Sequence, residues 1–344
     1  MRFDSLGKLF FSLSISFPLL MIPLNYEMNI YMFFKLFILF FALIFYFVLP
    51  NPKLKNLQNE DKAVFLFLII FFVSFIWGDF NTETLSIVSG YFFSIFLTYF
   101  LFRLYNIIDD FNPIYVYIFI IIELFTHFYF IGPQRGAINS AYILGSTSIF
   151  LITVIKDVGH HKFFLKYIMA PIYLFFSGFR FVVAHVISFI KIRPLHFFII
   201  AFFTFIFVSY LSYSSNEKFY YSILGYRVFE YRSLIDHLTF IDFFFGKGIG
   251  SDSEFFDFKF NRVYQHVGIF HNIVITLVFQ IGFIGLFLFY RIFYFVLINS
   301  NENLLSLLLI TWLILSFVDG PRDGHWIIGA YSAIIVNKKF DLQC

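Results

Sequence analysis

Apolar and polar positions divide this chain into long apolar runs separated by short polar breaks. About twelve of the runs are candidate membrane spans on hydropathy. They cover 9–25, 29–49, 63–78, 85–102, 114–132, 141–155, 163–177, 180–190, 195–213, 272–298, 303–318 and 325–337. Several are shorter than the ~20 residues a helix needs to cross the hydrocarbon. The weakest, 163–177 and 180–190, read either as spans or as a re-entrant pair. One break is long and polar, from 214 to 270. Inside it Leu224, Val228, Tyr231, Ile235 and Leu238 recur at intervals of four, three, four and three. That period predicts a short helix lying on the membrane or packed over the bundle. The pattern therefore predicts an all-α fold: a polytopic membrane bundle of about twelve helices with one large extracytoplasmic loop containing short helices. Three regions follow: a bundle over 1–213, the loop over 214–270, and three more helices with a short tail over 271–344.

Composition agrees with the pattern. Hydrophobic residues make up 60% of the 344 and charged residues 13%, and mean hydropathy is +0.84. A soluble chain would carry about 25% charge. The single cysteine, Cys344, leaves neither an internal disulfide framework nor a cysteine cluster for a metal. No basic run with interleaved aromatics points to nucleic acid. The segment from Met1 to Pro23 resembles a signal peptide but lacks a small-x-small cleavage site, so it reads as an uncleaved first helix.

The distribution of charge then sets an orientation. With Arg2 and Lys8 inside, the inner loops also hold Lys53, Lys55, Lys62, Arg103, Lys156, Lys162, Lys191, Arg193, Arg291, Lys338 and Lys339. The loop 214–270 then lies outside. Nine cations break the rule: Arg135, Arg180, Lys218, Arg227, Arg232, Lys247, Lys259, Arg262 and Arg322. Arg135 sits in the turn Gly132-Pro133-Gln134-Arg135-Gly136. Arg180 follows Ser177-Gly178-Phe179 in a break barely long enough to turn the chain. Arg227 edges the apolar stripe, and Arg232 can pair with Asp236 four residues on. Each has a structural alternative: a turn residue, an interfacial anchor, a snorkelling arginine, an ordinary ion pair. Together they also suit a lipid-borne diphosphate, whose oxygens guanidinium groups hold bidentately.

Two further features stand where the loop meets the apolar run 272–298. Gly246-x-Gly248-x-Gly250 is no nucleotide loop, because no strand precedes it and the Lys-Ser/Thr pair is absent. On pattern alone it is a flexible turn. His271-Asn272 opens the longest apolar run. Asn272 is either a helix cap or a polar group facing substrate. His271 is either a headgroup-level residue or a general base, which the positive end of a helix dipole would keep neutral. Gly282 and Gly285 below them permit close helix packing. His160, His161 and His237 are weaker candidates. Lys35, Glu123 and Lys166 fall inside apolar runs, where charge is expensive.

Ser177-Gly178-Phe179-Arg180 at a helix start resembles the Ser-Arg element of the O-antigen ligase/polymerase superfamily. The order that follows is also similar: loop arginines, the Gly-x-Gly-x-Gly turn, His271-Asn272 opening a helix, then Gly282 and Gly285. The likeness covers most of the chain, with its motifs over 177–290. Departures are Phe179 before Arg180 and Phe181 after it, Gln280 where the family often has an acidic residue, and a short length.

The resemblance implies a glycosyltransferase of the bacterial cytoplasmic membrane that faces the periplasm. Its donor is a glycan on undecaprenyl diphosphate. An acceptor hydroxyl attacks the anomeric carbon and the lipid diphosphate leaves. On this expectation His271, Arg227 and Arg180 are catalytic, while Arg135, Arg232, Asn272, Gly248 and Gly250 bind substrate. No metal, nucleotide or other cofactor is implied. The partners are the lipid-linked oligosaccharide, the bilayer and a chain-length regulator. The leading expectation is an O-antigen polymerase. The alternatives are an O-antigen ligase acting on lipid A–core, a capsule or exopolysaccharide polymerase, and, in another class, a lipid-linked oligosaccharide flippase.

Overall fold

A computed structural model describes residues 57–78, seven positions between 92 and 103, and residues 194–212, 236–251, 253–257, 262–266, 272–298, 303–315 and 326–341. Helix α1, Asn59–Val73, continues as a 3-10 turn over Ser74–Trp77. Glu60 and Asp61 lie in its first turn, where carboxylates suit the dipole. Asp61 Oδ2 accepts from Gln58 N–H at 3.1 Å and so caps the start. Helix α2, Pro194–Ser212, opens on a proline, whose fixed φ suits a first helical position. A six-residue helix α3, Phe240–Phe245, is closed at its start by a reciprocal box between Thr239 and Asp242. The long helix α4 is Ile273–Leu297, followed by α5, Asn303–Leu315, and α6, Trp326–Asp341. The expected runs 63–78, 195–213, 272–298, 303–318 and 325–337 each hold one of these helices, displaced by a few residues at some ends.

The described residues are predominantly helical, with one departure. The loop expected to contain short helices also holds an antiparallel hairpin. Its strands are β1, Ser253–Asp257, and β2, Arg262–His266, with Phe255 opposite Tyr264. Both segments are rich in aromatic or β-branched residues. At five residues each they are too short to show a clear period.

Ring contacts fix the relative directions of the helices. Phe67 packs on Phe289 at 5.9 Å, and Ser74 lies level with Gln280, so α1 runs antiparallel to α4. Phe198 meets Phe287 at 5.4 Å and Phe202 meets Phe283 at 5.1 Å, so α2 is antiparallel to α4 as well. Continuing that register, Ser212 and Ile273 stand at the same end of the pair. Residues 92–103, helical where described, run against α1: Phe71 meets Phe92 and Phe67 meets Phe96. They run parallel to α6, because Gly329 abuts the Ile95 carbonyl and Asn337 reaches Arg103 eight residues further on.

Among the described residues, Ile273–Leu297 is long and apolar enough to cross a membrane. Most of it is buried among the other elements. Among the described residues, the exposed apolar surface lies mainly on α1 and its 3-10 extension, on α2 and on α3, at residues such as Ile69, Ile76, Phe203, Phe207, Phe240 and Ile241.

One polar cluster ties three of these elements together. Arg103, fully buried, donates through Nε to Asp61 Oδ1 at 3.0 Å and through Nη2 to Asp61 Oδ2 at 2.7 Å. Its Nη1 donates to Asn337 Oδ1 at 2.6 Å, and Tyr99 Oη donates to Asp61 Oδ1 at 2.7 Å. Arg103 was expected as a loop charge. It is instead half of a bidentate buried pair, the geometry that offsets desolvation best.

Candidate functional site

The start of α4 is built by Asn272. In an extended conformation, it accepts through Oδ1 from Val274 N–H at 2.7 Å and Ile275 N–H at 3.3 Å. Thr276 Oγ1 donates back to the Asn272 carbonyl at 3.0 Å. Asn272 thus forms the cap, one of its two expected roles, and the residue is 2% exposed. A buried helix end would otherwise leave several N–H groups without partners.

Ten residues into α4 the helix breaks. Gly282 has φ 68° and ψ −174°, outside helical space and in a region that favours glycine. Such a break removes the i+4 partners of the three preceding carbonyls, those of Phe279, Gln280 and Ile281. Two of these are re-satisfied from the glycine turn. Lys247 N–H donates to the Phe279 carbonyl at 2.8 Å, and Gly248 N–H donates to the Gln280 carbonyl at 3.0 Å. The Gln280 side chain completes the clasp. Its Oε1 accepts from Gly250 N–H at 2.9 Å and its Nε2 donates to the Ser251 carbonyl at 3.0 Å. Ile249 N–H reaches the Ser74 carbonyl at the end of α1, at 3.3 Å.

The turn is therefore fixed, where pattern alone suggested flexibility. Gly246, Gly248 and Gly250 all have positive φ, at 76°, 95° and 97°, which explains glycine at every second position. All six N–H groups from Gly246 to Ser251 have protein acceptors. Gly248 and Gly250, expected to bind substrate, have their N–H groups engaged by α4, and their positive φ values shape the clasp.

At about 1.5 Å per residue, the clasp lies roughly 10–15 Å along α4 from Asn272. Part of the expected outer loop thus descends beside the helix instead of standing clear of it. Gly282 admits the backbone of α3 at Phe244, and Phe243 stacks on Phe283 at 5.3 Å. The close approach expected at Gly282 is real, but its partner is α3. The three atoms nearest to a Cβ built at Gly285 all belong to the Ile281 side chain of the same helix.

Lys247, one of the cations that break the charge rule, has a local partner: its Nζ lies 2.9 Å from Asp242 Oδ2. Partial burial pushes the Asp242 carboxyl up. The Lys247 ammonium and the two Thr239 hydrogen bonds outweigh it and hold the group below its ordinary value of 3.8.

His271, Arg227, Arg180, Arg135 and Arg232 lie outside the described residues, as do Lys35, Glu123, Lys166, His160 and His161 and most of the stripe from Leu224 to Leu238. Asn272, Gly248 and Gly250 are brought close to the upper part of α4. Among the described residues, no group of three His, Cys, Asp or Glu is placed to hold a metal ion. The pattern of runs missed Gln280 as the organising residue. The available signal was a lone carboxamide within an otherwise apolar stretch, two residues before a glycine. It also missed the buried cluster, whose signal was Asp61 and Arg103 at the ends of facing runs. Comparison of the chain with protein-family models, with curated proteins and with solved structures finds no match.

Proposed function

We propose that this chain is a polytopic membrane glycosyltransferase of the O-antigen polymerase type. It joins oligosaccharide repeat units carried on undecaprenyl diphosphate, at the outer leaflet of the bacterial cytoplasmic membrane. Arg180 and Arg227 stabilise the diphosphate as its charge develops, the electrostatic contribution that is usually the largest. Arg135 and Arg232 hold the donor's charged groups. His271 takes the proton from the acceptor hydroxyl as that oxygen bonds to the anomeric carbon and the carbon–phosphate oxygen bond breaks. The diphosphate leaves with the bonding pair, so the reaction needs no nucleotide.

The observation that carries this reading is the clasp. Catalytic geometry is held most precisely when its loop is anchored to rigid elements. The residue after His271 is a buried helix cap, and the loop leading to it is bonded to α4 through Gln280. A second observation agrees. Ser212 and Ile273 lie at one end of an antiparallel pair, so the polar segment between them leaves and returns on the same side. The superfamily likeness supplies the substrate class.

The test is reconstitution. Purified protein in proteoliposomes, supplied with undecaprenyl-diphosphate-linked repeats and chelator, is expected to make a ladder of longer glycans. Arg180→Ala and Arg227→Ala should abolish it at equal protein level. Arg→Lys at either position should restore little, because a point charge does not replace a planar fork. Transfer only to added lipid A–core, with no lengthening on the carrier, would instead identify a ligase.

A further inference from the structure

An apolar groove opens between the start of α2 and the last third of α4. Phe198, Phe287, Tyr290, Tyr294 and Phe295 line it together with Arg291, and its volume is about 160 Å³. A space of that size accepts a benzene-sized apolar group, or a section of one acyl chain. Arg291 is exposed, and its Cζ stands 5.3 Å from the centroid of the Phe295 ring. Among the described residues it makes no ion pair.

The position of Arg291 sets what it can meet. The register Phe198 to Phe287 and Phe202 to Phe283 puts Pro194, the first residue of α2, level with Arg291. Six residues separate Arg291 from the end of α4 at Leu297, about 9 Å of helix. A cation at that depth in an apolar helix is costly unless it reaches headgroup level or finds an anion. The groove beside it is aromatic and apolar. Charge at the mouth and grease along the walls are the complement of an anionic phospholipid.

We propose that this groove holds one anionic phospholipid of the leaflet opposite the clasp, with its phosphate on Arg291 and an acyl chain along Phe198 and Phe287. The occupant is a bilayer lipid and not the glycan carrier. The proposal requires only that these helices sit in a membrane, and it stands or falls separately from the polymerase reading.

The experiment uses the purified full chain in micelles containing equal phosphatidylglycerol and phosphatidylcholine of identical acyl chains. Retained lipid is counted by native mass spectrometry. Wild type is expected to retain phosphatidylglycerol about five-fold over phosphatidylcholine, the ~1 kcal/mol that one basic residue contributes at an anionic surface. Arg291→Gln should equalise the two. Lys62→Gln, an exposed cation at the same end of the bundle, should keep the preference. Phe287→Trp, which fills the groove, should lose retention of both lipids, and it decides the matter alone if Arg291→Gln yields no folded protein. A preference that survives Arg291→Gln or Phe287→Trp, or that Lys62→Gln abolishes equally, would overturn the site.

Discussion

Gln280 is a single carboxamide bonded to two backbone groups of another segment, Gly250 N–H and the Ser251 carbonyl. Replacing it by alanine leaves both buried groups without this partner, at about 1–3 kcal/mol each. Gln280→Ala is therefore expected to lower the stability of the purified protein by about 2 kcal/mol or more, read as the midpoint of unfolding in mixed micelles. Gln280→Glu should be at least as damaging, because a carboxylate cannot donate to Ser251. An unchanged midpoint in either variant would mean that the clasp contributes little. Asp242 gives a pH test. Its folded-state pKa is depressed, so its stabilisation is present above the ordinary value of 3.8 and lost as pH falls through the lower folded value. Asp242→Asn should therefore be less stable than wild type near neutrality. The gap should close in acid below the usual carboxylate range. A gap that is constant with pH would assign the effect to the helix cap and not to charge. The sequence announced the glycines, since every-second-position glycine is visible in any reading. It did not announce their partner. Which carbonyls a turn meets depends on a kink elsewhere in the chain, and Gly282 reads equally well as a packing residue.

Among the described residues, helices were the most legible part, because a long apolar run between polar breaks has few alternatives. Their starts were legible where a cap was present, as at Asn272. What the runs hide is how elements lock together. Arg103 follows one apolar run and Asp61 precedes another, and each looks like a solvated loop charge until the two runs are placed antiparallel. The close approach of Gly329 to the Ile95 carbonyl is hidden for the same reason. Removing one member of the buried pair should cost about 3–5 kcal/mol, because the other charge is left buried and unmatched. Asp61→Leu and Arg103→Leu are thus each expected to unfold early. The double variant should lose clearly less than the sum of the two, a coupling read from a double-mutant cycle. Strict additivity would show that the pair does not act as a unit. Gly282→Ala should be as severe as either single change. It places a Cβ at a positive φ and against the Phe244 backbone, and backbone strain of this kind alone costs about 1–3 kcal/mol. Normal yield and unfolding midpoint for Gly282→Ala would contradict the kink.

On the largest scale, α4 is the centre of the described residues. The helices α1 and α2 run against it, α3 fills its kink, and the polar segment leaves and rejoins the bundle on one side. That arrangement agrees with the proposed active site, whose His271 precedes the buried cap Asn272. His271 then becomes the most sensitive titratable position, since general-base assistance is worth about 100- to 10,000-fold in rate. His271→Ala should accumulate single repeats, while His160→Ala and His161→Ala behave as wild type. A full ladder from His271→Ala would leave the chemistry to the arginines and to substrate positioning. The proposed activity is lengthening of a glycan on its lipid carrier. Lipopolysaccharide from a strain lacking this protein, resolved on a gel, tests it most directly. The account predicts core bearing a single repeat unit, restored to a full ladder by the wild-type chain. Core alone, with long polymer still attached to undecaprenyl diphosphate, would contradict it.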